Sequence, residues 1–327
     1  MRVQVIGSGS FGIALARLLA RNGHGVALWC KDNAAVLREK REDPAYLPGV
    51  VLPGVVEILD EGDELAADAE LAVLAVPSHA MRSVLGAVRL PDGAIRVSVA
   101  KGIENNTLMR MSEVIAEAAP GGAVVALSGP SHAEEVARDL PASVVVASAD
   151  AGACARVQEM FLCKTFRVYT SPDVIGVELG GSLKNVIAIA AGVCDGFGLG
   201  DNAKAALMTR GLAEITRLGV ACGADPLTFA GLSGMGDLIT TCESRHSRNR
   251  AVGEGIAKGK TLEEITTSTA MVAEGVRTTR SARALAMKYG VRMPITEATY
   301  RVLFENAPAR DAIAELMLRE AKPEITR

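Results

Sequence analysis

The chain is poor in aromatic residues, with one Trp, four Tyr and six Phe among 327 positions. Proteins that grip single-stranded nucleic acid stack bases on such rings. An excess of positive charge is missing too. Lys and Arg number 35 against 38 Asp and Glu, a net charge of −3, where a general nucleic-acid binder would be basic. The six cysteines (Cys30, Cys154, Cys163, Cys194, Cys222 and Cys242) contain no C-x-x-C pair. The four histidines (His24, His79, His132 and His246) are dispersed, so no metal is expected. Scattered thiols in apolar contexts suit a reducing compartment, and the expected location is cytoplasmic. No uninterrupted apolar run reaches the roughly 18 residues of a membrane-spanning helix. Met1–Ala20 loosely imitates a secretory leader, but Gly7, Ser8, Gly9, Ser10, Gly12 and Arg17 interrupt it, and it reads as mature fold. G-x-S-x-G is also absent, which leaves an α/β-hydrolase unsupported.

What the chain has in plenty is glycine, 33 residues, within a composition 49% apolar and 22% charged, as in a globular protein. At roughly 150 residues per domain, its length suggests two domains. Short apolar runs alternate with helical patterns through the first half: Val3–Ile6, Val26–Cys30, Leu71–Val76, Ile95–Ala100, Val124–Leu127 and Ser143–Ala147, with Phe166–Tyr169 a late strand. These runs are apolar nearly throughout, as strands covered on both faces are. Strands separated by helices imply right-handed crossovers and a parallel sheet. After about Ser171 only helical patterns follow, over 174–193, 203–219, 261–265, 278–289, 296–304 and 310–321, with Thr261 and Glu264 forming a capping box. The expected class is α/β. A Rossmann-like, doubly wound, mainly parallel sheet domain (1–171) precedes an all-α C-terminal domain (172–327).

Gly7-Ser8-Gly9-Ser10-Phe11-Gly12 is G-x-G-x-x-G, directly after the first strand and opening a helix. Gly7 permits the tight turn, Gly9 lets a pyrophosphate approach, and Gly12 lets helix and strand pack closely. The helix N-terminus then offers N–H groups to the phosphates. Where the second strand ends, the chain reads Trp29-Cys30-Lys31-Asp32. A strict NAD enzyme often places an acid there. Lys31 could pair with a 2′-phosphate, which favours NADPH, or be a solvated loop cation, and Asp32 keeps NADH open.

Lys101 follows a strand at the sheet edge that carries ligands in open α/β folds, although a lysine after a strand is usually just solvated. Lys184 lies on an apolar helical stripe with Gly180, Gly181 and Ala188 as neighbours three or four residues away. Those small neighbours leave room for a ligand, and desolvation would lower the amine's pKa toward general acid–base use. The bland alternative is a lysine snorkelling from a core helix. Ser233–Leu238 puts Asp237 behind two glycines, and the polar stretch Thr240–Arg250 holds three arginines before a helix. Arginine suits phosphate oxygens, whereas Arg245 and Arg250 read as solvated.

Together these residues resemble the bacterial NAD(P)-dependent glycerol-3-phosphate dehydrogenase family across about residues 1–320. The resemblance rests on Gly7–Gly12, Val99–Gly102, Leu127–Glu134, Leu183–Asn185, Gly234–Leu238, Arg245–Asn249 and Val272–Gly275. It implies reversible hydride transfer between NADPH or NADH and C2 of dihydroxyacetone phosphate, giving sn-glycerol 3-phosphate for phospholipid synthesis, with no metal. By the resemblance Lys184 is the general acid or base. Lys101, Gly129, Ser131, Lys184, Asp237, Ser247, Arg248 and Asn249 contact substrate, with Arg248 and Asn249 at the phosphate. Gly7, Gly9, Ser10, Phe11, Gly12, Lys31, Lys101, Ala133, Arg248, Val272 and Glu274 match cofactor contacts. The family often has Trp in place of Phe11 and Arg or His near Lys31, departures that bear on the NADH/NADPH ratio. The partner is a small molecule, not nucleic acid or membrane, and a homodimer is one assembly open to the chain. The competing readings are another two-domain dehydrogenase, of the 6-phosphogluconate or ketopantoate reductase type, and a non-catalytic NAD(P)-sensing regulator.

Overall fold

The structure, a computed structural model, describes residues 1–267, 273–321 and 323–324. Eight strands form one sheet: β1 (Arg2–Ile6), β2 (Gly25–Trp29), β3 (Glu57–Leu59), β4 (Leu71–Leu74), β5 (Ile95–Ser98), β6 (Val124–Ser128), β7 (Ala142–Ala147) and β8 (Phe166–Ser171). Their spatial order is β3-β2-β1-β4-β5-β6-β7-β8, parallel throughout except for the antiparallel β6–β7 pair. The chain runs outward from β1 through β2 to β3, then returns to start again at β4 on the other side. That reversal opens a crevice beyond the carboxyl ends of β1 and β4, where such sheets bind ligands.

Alternation along the strands feeds two separate cores. Val3, Val5, Leu71 and Val73 point into one apolar cluster, and Ile6, Ala72 and Leu74 into the other. Helices α1 (Ser10–Arg21), α2 (Ala34–Lys40), α3 (Met81–Ala87), α4 (Met111–Ala118), α5 (Ala133–Val136) and α6 (Ala151–Phe161) connect the strands. Because both faces are covered, the strands are apolar nearly throughout. The three-residue β3 escapes sequence reading, since Glu57-Ile58-Leu59 is too short to show a period.

Among the described residues no strand follows Ser171. The later helices are α7 (Val174–Phe197), α8 (Asp201–Ala221), α9 (Asp237–Glu243), α10 (Arg248–Ala257), α11 (Leu262–Thr267), α12 (Glu274–Tyr289), α13 (Pro294–Phe304) and α14 (Ala309–Met317). Asp173 caps α7 by accepting from Gly176 N, and Gly198 ends it in the left-handed conformation. By length and composition α7 could cross a membrane, but 83% of that stretch is buried inside the fold. A helix that is apolar all round is a core helix when its neighbours cover it. Thr261 and Glu264 form the expected reciprocal cap, Glu264 accepting from Thr261 N at 2.8 Å and Thr261 Oγ1 from Glu264 N at 3.2 Å.

The polar stretch after Thr240 is more ordered than its composition suggests. Ser247 caps α10 by accepting from Arg250 N. Arg250, expected to be solvated, is instead partly buried and paired with Asp195 at 2.5 Å and Glu254 at 2.8 Å. Arg245 is exposed, as expected.

Candidate active site

The glycine turn has the geometry its spacing requires. Gly7 adopts φ +107°, and a Cβ there would stand 2.5 Å from Ala75 O. A Cβ on Gly12 would stand 1.8 Å from Gly7 O, so the turn and α1 close only without side chains. A Cβ on Gly9 would meet nothing within 4 Å, and no side chain caps α1. The first N–H groups of a helix lack intrahelical acceptors. Here they open on a cleft of about 460 Å³ lined by Gly7, Gly9, Ser10, Phe11 and Lys31 from one side of the chain and by Lys184, Ser247, Arg248 and Asn249 from the other. An uncapped, dipole-positive helix end behind bare glycine backbone fits the pyrophosphate of a nicotinamide dinucleotide. Asn33, beside Lys31, is held inward by Ser8 O and Asp43, while Lys31 is exposed at the rim.

Deeper in the same cleft three ionised groups meet. Asp237, first residue of α9, is bonded on both carboxylate oxygens. Lys184 Nζ, from α7, donates to Oδ1 at 2.9 Å, and Lys101 Nζ, from the loop after β5, donates to Oδ2 at 2.6 Å. Lys101 also donates to Gly129 O at 3.0 Å. Lys184 donates to Thr241 Oγ1 at 2.5 Å, and Thr241, one turn beyond Asp237, donates to the Asp237 carbonyl at 2.7 Å. Burial works to raise the pKa of Asp237, but the two lysines outweigh it and hold the carboxyl below its usual range. Burial pushes the Lys184 amine down to about 8, with Asp237 opposing and Lys101 assisting. Two cations against one anion leave the cluster electropositive. An amine that titrates near 8 can hold or release a proton close to neutral pH.

The small residues around Lys184 serve another purpose than the one expected. A Cβ on Gly180 would stand 2.8 Å from Ser233 O, and one on Gly181 would stand 2.4 Å from Ser128 Oγ. Protein fills that space: the glycines let the segment before Asp237 and the end of β6 press against α7. The room for a ligand lies instead in the cleft at the amine's tip.

Most of the other predicted site residues gather here. Ser131 and Ala133 line the cleft, and Ser131 Oγ donates to Gly129 O at 3.1 Å. Gly12, Gly129 and Asp237 stand behind the lining. Glu274 lines the cleft and accepts from Ser78 N at 2.7 Å, burial pushing its carboxyl upward. The Asn249 side chain is committed to protein, donating to Asn185 Oδ1 at 2.9 Å and accepting from Gly275 N at 2.9 Å. Its reach toward a ligand is therefore through the backbone at the start of α10. Val272 lies outside the described residues. Sequence reading passed over Thr241 and Asn185. The first was findable, because a hydroxyl four residues after Asp237 shares its helix face.

Residues 2–154 match the N-terminus, and residues 173–314 the C-terminus, of NAD-dependent glycerol-3-phosphate dehydrogenase. The glycerol-3-phosphate dehydrogenase [NAD(P)+] of Pelotomaculum thermopropionicum is 54% identical over 97% of this chain and 93% of its own. A crystal structure of glycerol-3-phosphate dehydrogenase from Coxiella burnetii superposes with a TM-score of 0.92 at 35% identity, covering 97% of this chain and 99% of that one. A ketopantoate reductase from Ralstonia eutropha shares the fold alone, with a TM-score of 0.61 at 15% identity over 96% and 100% of the two chains. The chain thus belongs to the NAD-dependent glycerol-3-phosphate dehydrogenase family.

Proposed function

We propose that the protein interconverts dihydroxyacetone phosphate and sn-glycerol 3-phosphate with NAD(P)H or NAD(P)+. The observation that carries this reading is the buried Lys184–Asp237–Lys101 cluster opening into the same cleft as the glycine turn. In this reading residues 1–171 hold the cofactor and residues 172–327 complete the substrate site. When bound, the nicotinamide supplies or accepts the hydride at C2. In reduction negative charge builds on the C2 oxygen, and Lys184 stabilises it and then gives its proton. In oxidation the neutral amine takes the proton of the C2 hydroxyl. Asp237 holds both amines at fixed positions, and Thr241 fixes the direction of Lys184. Lys101, Gly129 and Ser131 orient the substrate's oxygens. Ser247, Arg248 and the backbone of Asn249 receive the phosphate, since Arg248 and the α10 N-terminus both favour an anion. Gly7, Gly9, Ser10, Phe11, Gly12, Lys31, Ala133, Val272 and Glu274 serve the cofactor. Six free cysteines, four of them buried, support a cytoplasmic location.

The deciding experiment follows NADPH oxidation by purified protein with dihydroxyacetone phosphate or ketopantoate, and NADP+ reduction with 6-phosphogluconate. Turnover is expected with the first and lost in Lys184→Ala. Turnover restricted to another substrate, or none at all, overturns the reading.

A further inference from the structure

We infer that His132, backed by His246, is a further substrate-binding residue whose Nε2 hydrogen-bonds the phosphate end of the bound substrate. The inference rests on the proposed reaction and adds a contact to it. His132 follows Ser131 into α5, and His246 precedes Ser247, the cap of α10. Both line the cleft, with ring centroids 6.1 Å apart and planes tilted by 54°. His132 therefore stands between the two ends of the site. On one side it feels the charges of Lys184 and Lys101, and on the other it meets His246, which precedes the cap of the phosphate-receiving helix.

His132 Nε2 is buried and has no hydrogen-bond partner among the described residues. A buried polar atom left unpaired is costly, and a native structure that keeps one owes an explanation. Around it the other groups are satisfied: both oxygens of Asp237, the Thr241 hydroxyl and the amides of Asn185 and Asn249. Ser128 Oγ is also unpaired, but it sits behind Gly181 and does not line the cleft. Of these two orphaned atoms, the one carried by a cleft-lining residue is thus a histidine's.

Its charge state suits the task. Burial, then Lys184 and Lys101, lower the pKa of His132, while Glu134 and Asp237 act the other way with less effect. The imidazole stays neutral beside two lysines and offers an N–H without a third repelling cation. The phosphate needs such a donor. The Asn249 side chain is spent on Asn185 and Gly275, so at this end of the site a neutral N–H from His132 adds to what Arg248, the Ser247 hydroxyl and the α10 backbone supply. A substrate reaching from Lys184 to the start of α10 passes His132 and can satisfy its Nε2.

Two variants test this. His132→Phe keeps the ring's bulk and removes its nitrogens, and His132→Gln restores an N–H near the place of Nε2. In His132→Phe, KM for dihydroxyacetone phosphate is expected to rise about tenfold, the scale of one hydrogen bond to a charged group. kcat, the affinity for NADPH read by fluorescence titration, and kcat/KM for unphosphorylated dihydroxyacetone should hold, and His132→Gln should recover most of the KM. A purely structural histidine would instead lower kcat, cofactor affinity and melting temperature together, without rescue by Gln. That pattern, an unchanged KM, or an equal loss on dihydroxyacetone overturns the inference. If wild type turns over dihydroxyacetone phosphate and His132→Phe is unaffected, only the histidine's role falls. If wild type does not turn it over, the reaction falls, and calorimetric binding of glycerol 3-phosphate to wild type and His132→Phe still decides the contact.

Discussion

At the residue scale the chemistry turns on Lys184, a buried amine held near its titration point. Its pKa of about 8 fixes the sign of the pH dependence. Oxidation of glycerol 3-phosphate needs the neutral amine, so its kcat/KM should climb as pH rises through about 8. Reduction needs the ammonium form, so its kcat/KM should fall above that point. Lys184→Ala should lose roughly 10²–10⁴ in kcat, the usual contribution of general acid–base catalysis. Profiles in both directions check this, and two flat profiles across that pH would remove Lys184 from proton transfer. Lys31 bears on cofactor choice rather than chemistry. It is exposed at the cleft rim, where screening limits what one cation contributes. NADPH should be moderately preferred at low salt, and Lys31→Glu should weaken NADPH much more than NADH. Measuring kcat/KM for both cofactors decides it, and a wild-type preference for NADH shifts attention to Asp32. Lys184 and Asp237 were legible because charge on an apolar helix, or behind two glycines, breaks a local rule. Asn185 and Thr241 break none, since a short polar side chain reveals its partner only when the chain is folded around it.

At the element scale the site depends on how closely α10 lies on α7. A Cβ on Gly253 would stand 1.9 Å from Ile189 O, and one on Gly192 would stand 1.9 Å from Arg250 O. The two backbones touch, and that contact sets the distance from Lys184 to Ser247, Arg248 and Asn249 at the start of α10. Gly253→Ala forces the helices apart and should destabilise the protein by about 1–3 kcal/mol, as overpacking does. Because the displaced helix carries the phosphate end, KM for dihydroxyacetone phosphate should rise while NADPH affinity changes little. Denaturant unfolding and steady-state kinetics check this, and wild-type stability with wild-type KM would show that the helices have slack. The glycines that open α1 were readable as a motif with a mechanism. Gly192 and Gly253 were not, because close approach of two helices is a tertiary fact with no local period. The strands of the sheet could be read from unbroken apolar runs, and the helix expected after the polar stretch begins within it, at Arg248, where the pairing of Arg250 with Asp195 on α7 could not be read locally.

At the scale of the whole molecule, the switch from alternating strands and helices to helices alone was visible in the sequence, but the links across that switch were not. Among the described residues, three carboxylates on the later helices tie them to the sheet and its connections, and Asn185 adds a bond to Lys101 O. Asp237 is bonded to Lys101, Glu274 accepts from Ser78 N, and Glu178 on α7 joins the start of α4. The third lies outside the cleft. Glu178 accepts from Arg110 Nη1 at 2.8 Å, Ser112 N at 2.7 Å and Ser112 Oγ at 2.5 Å. Burial pushes its carboxyl upward, with Arg110 pulling the other way, so the pairing exists against a desolvation cost. Replacing one partner of such a pair leaves the other buried without an acceptor. Glu178→Ala leaves the Ser112 N–H without its acceptor and the Arg110 guanidinium with Glu113 as its remaining carboxylate, and should cost about 3 kcal/mol, at the lower end for a broken buried pair because Arg110 keeps Glu113 and some water. The loss falls on the contact between sheet and helices rather than on either core, so the cooperativity of unfolding should suffer as well. Calorimetry should show a lower, broader transition that splits toward two, while NADPH affinity, which rests on the glycine turn, persists at low temperature. A single transition at the wild-type midpoint would mean that the other links suffice to hold the sheet and the helices as one unit.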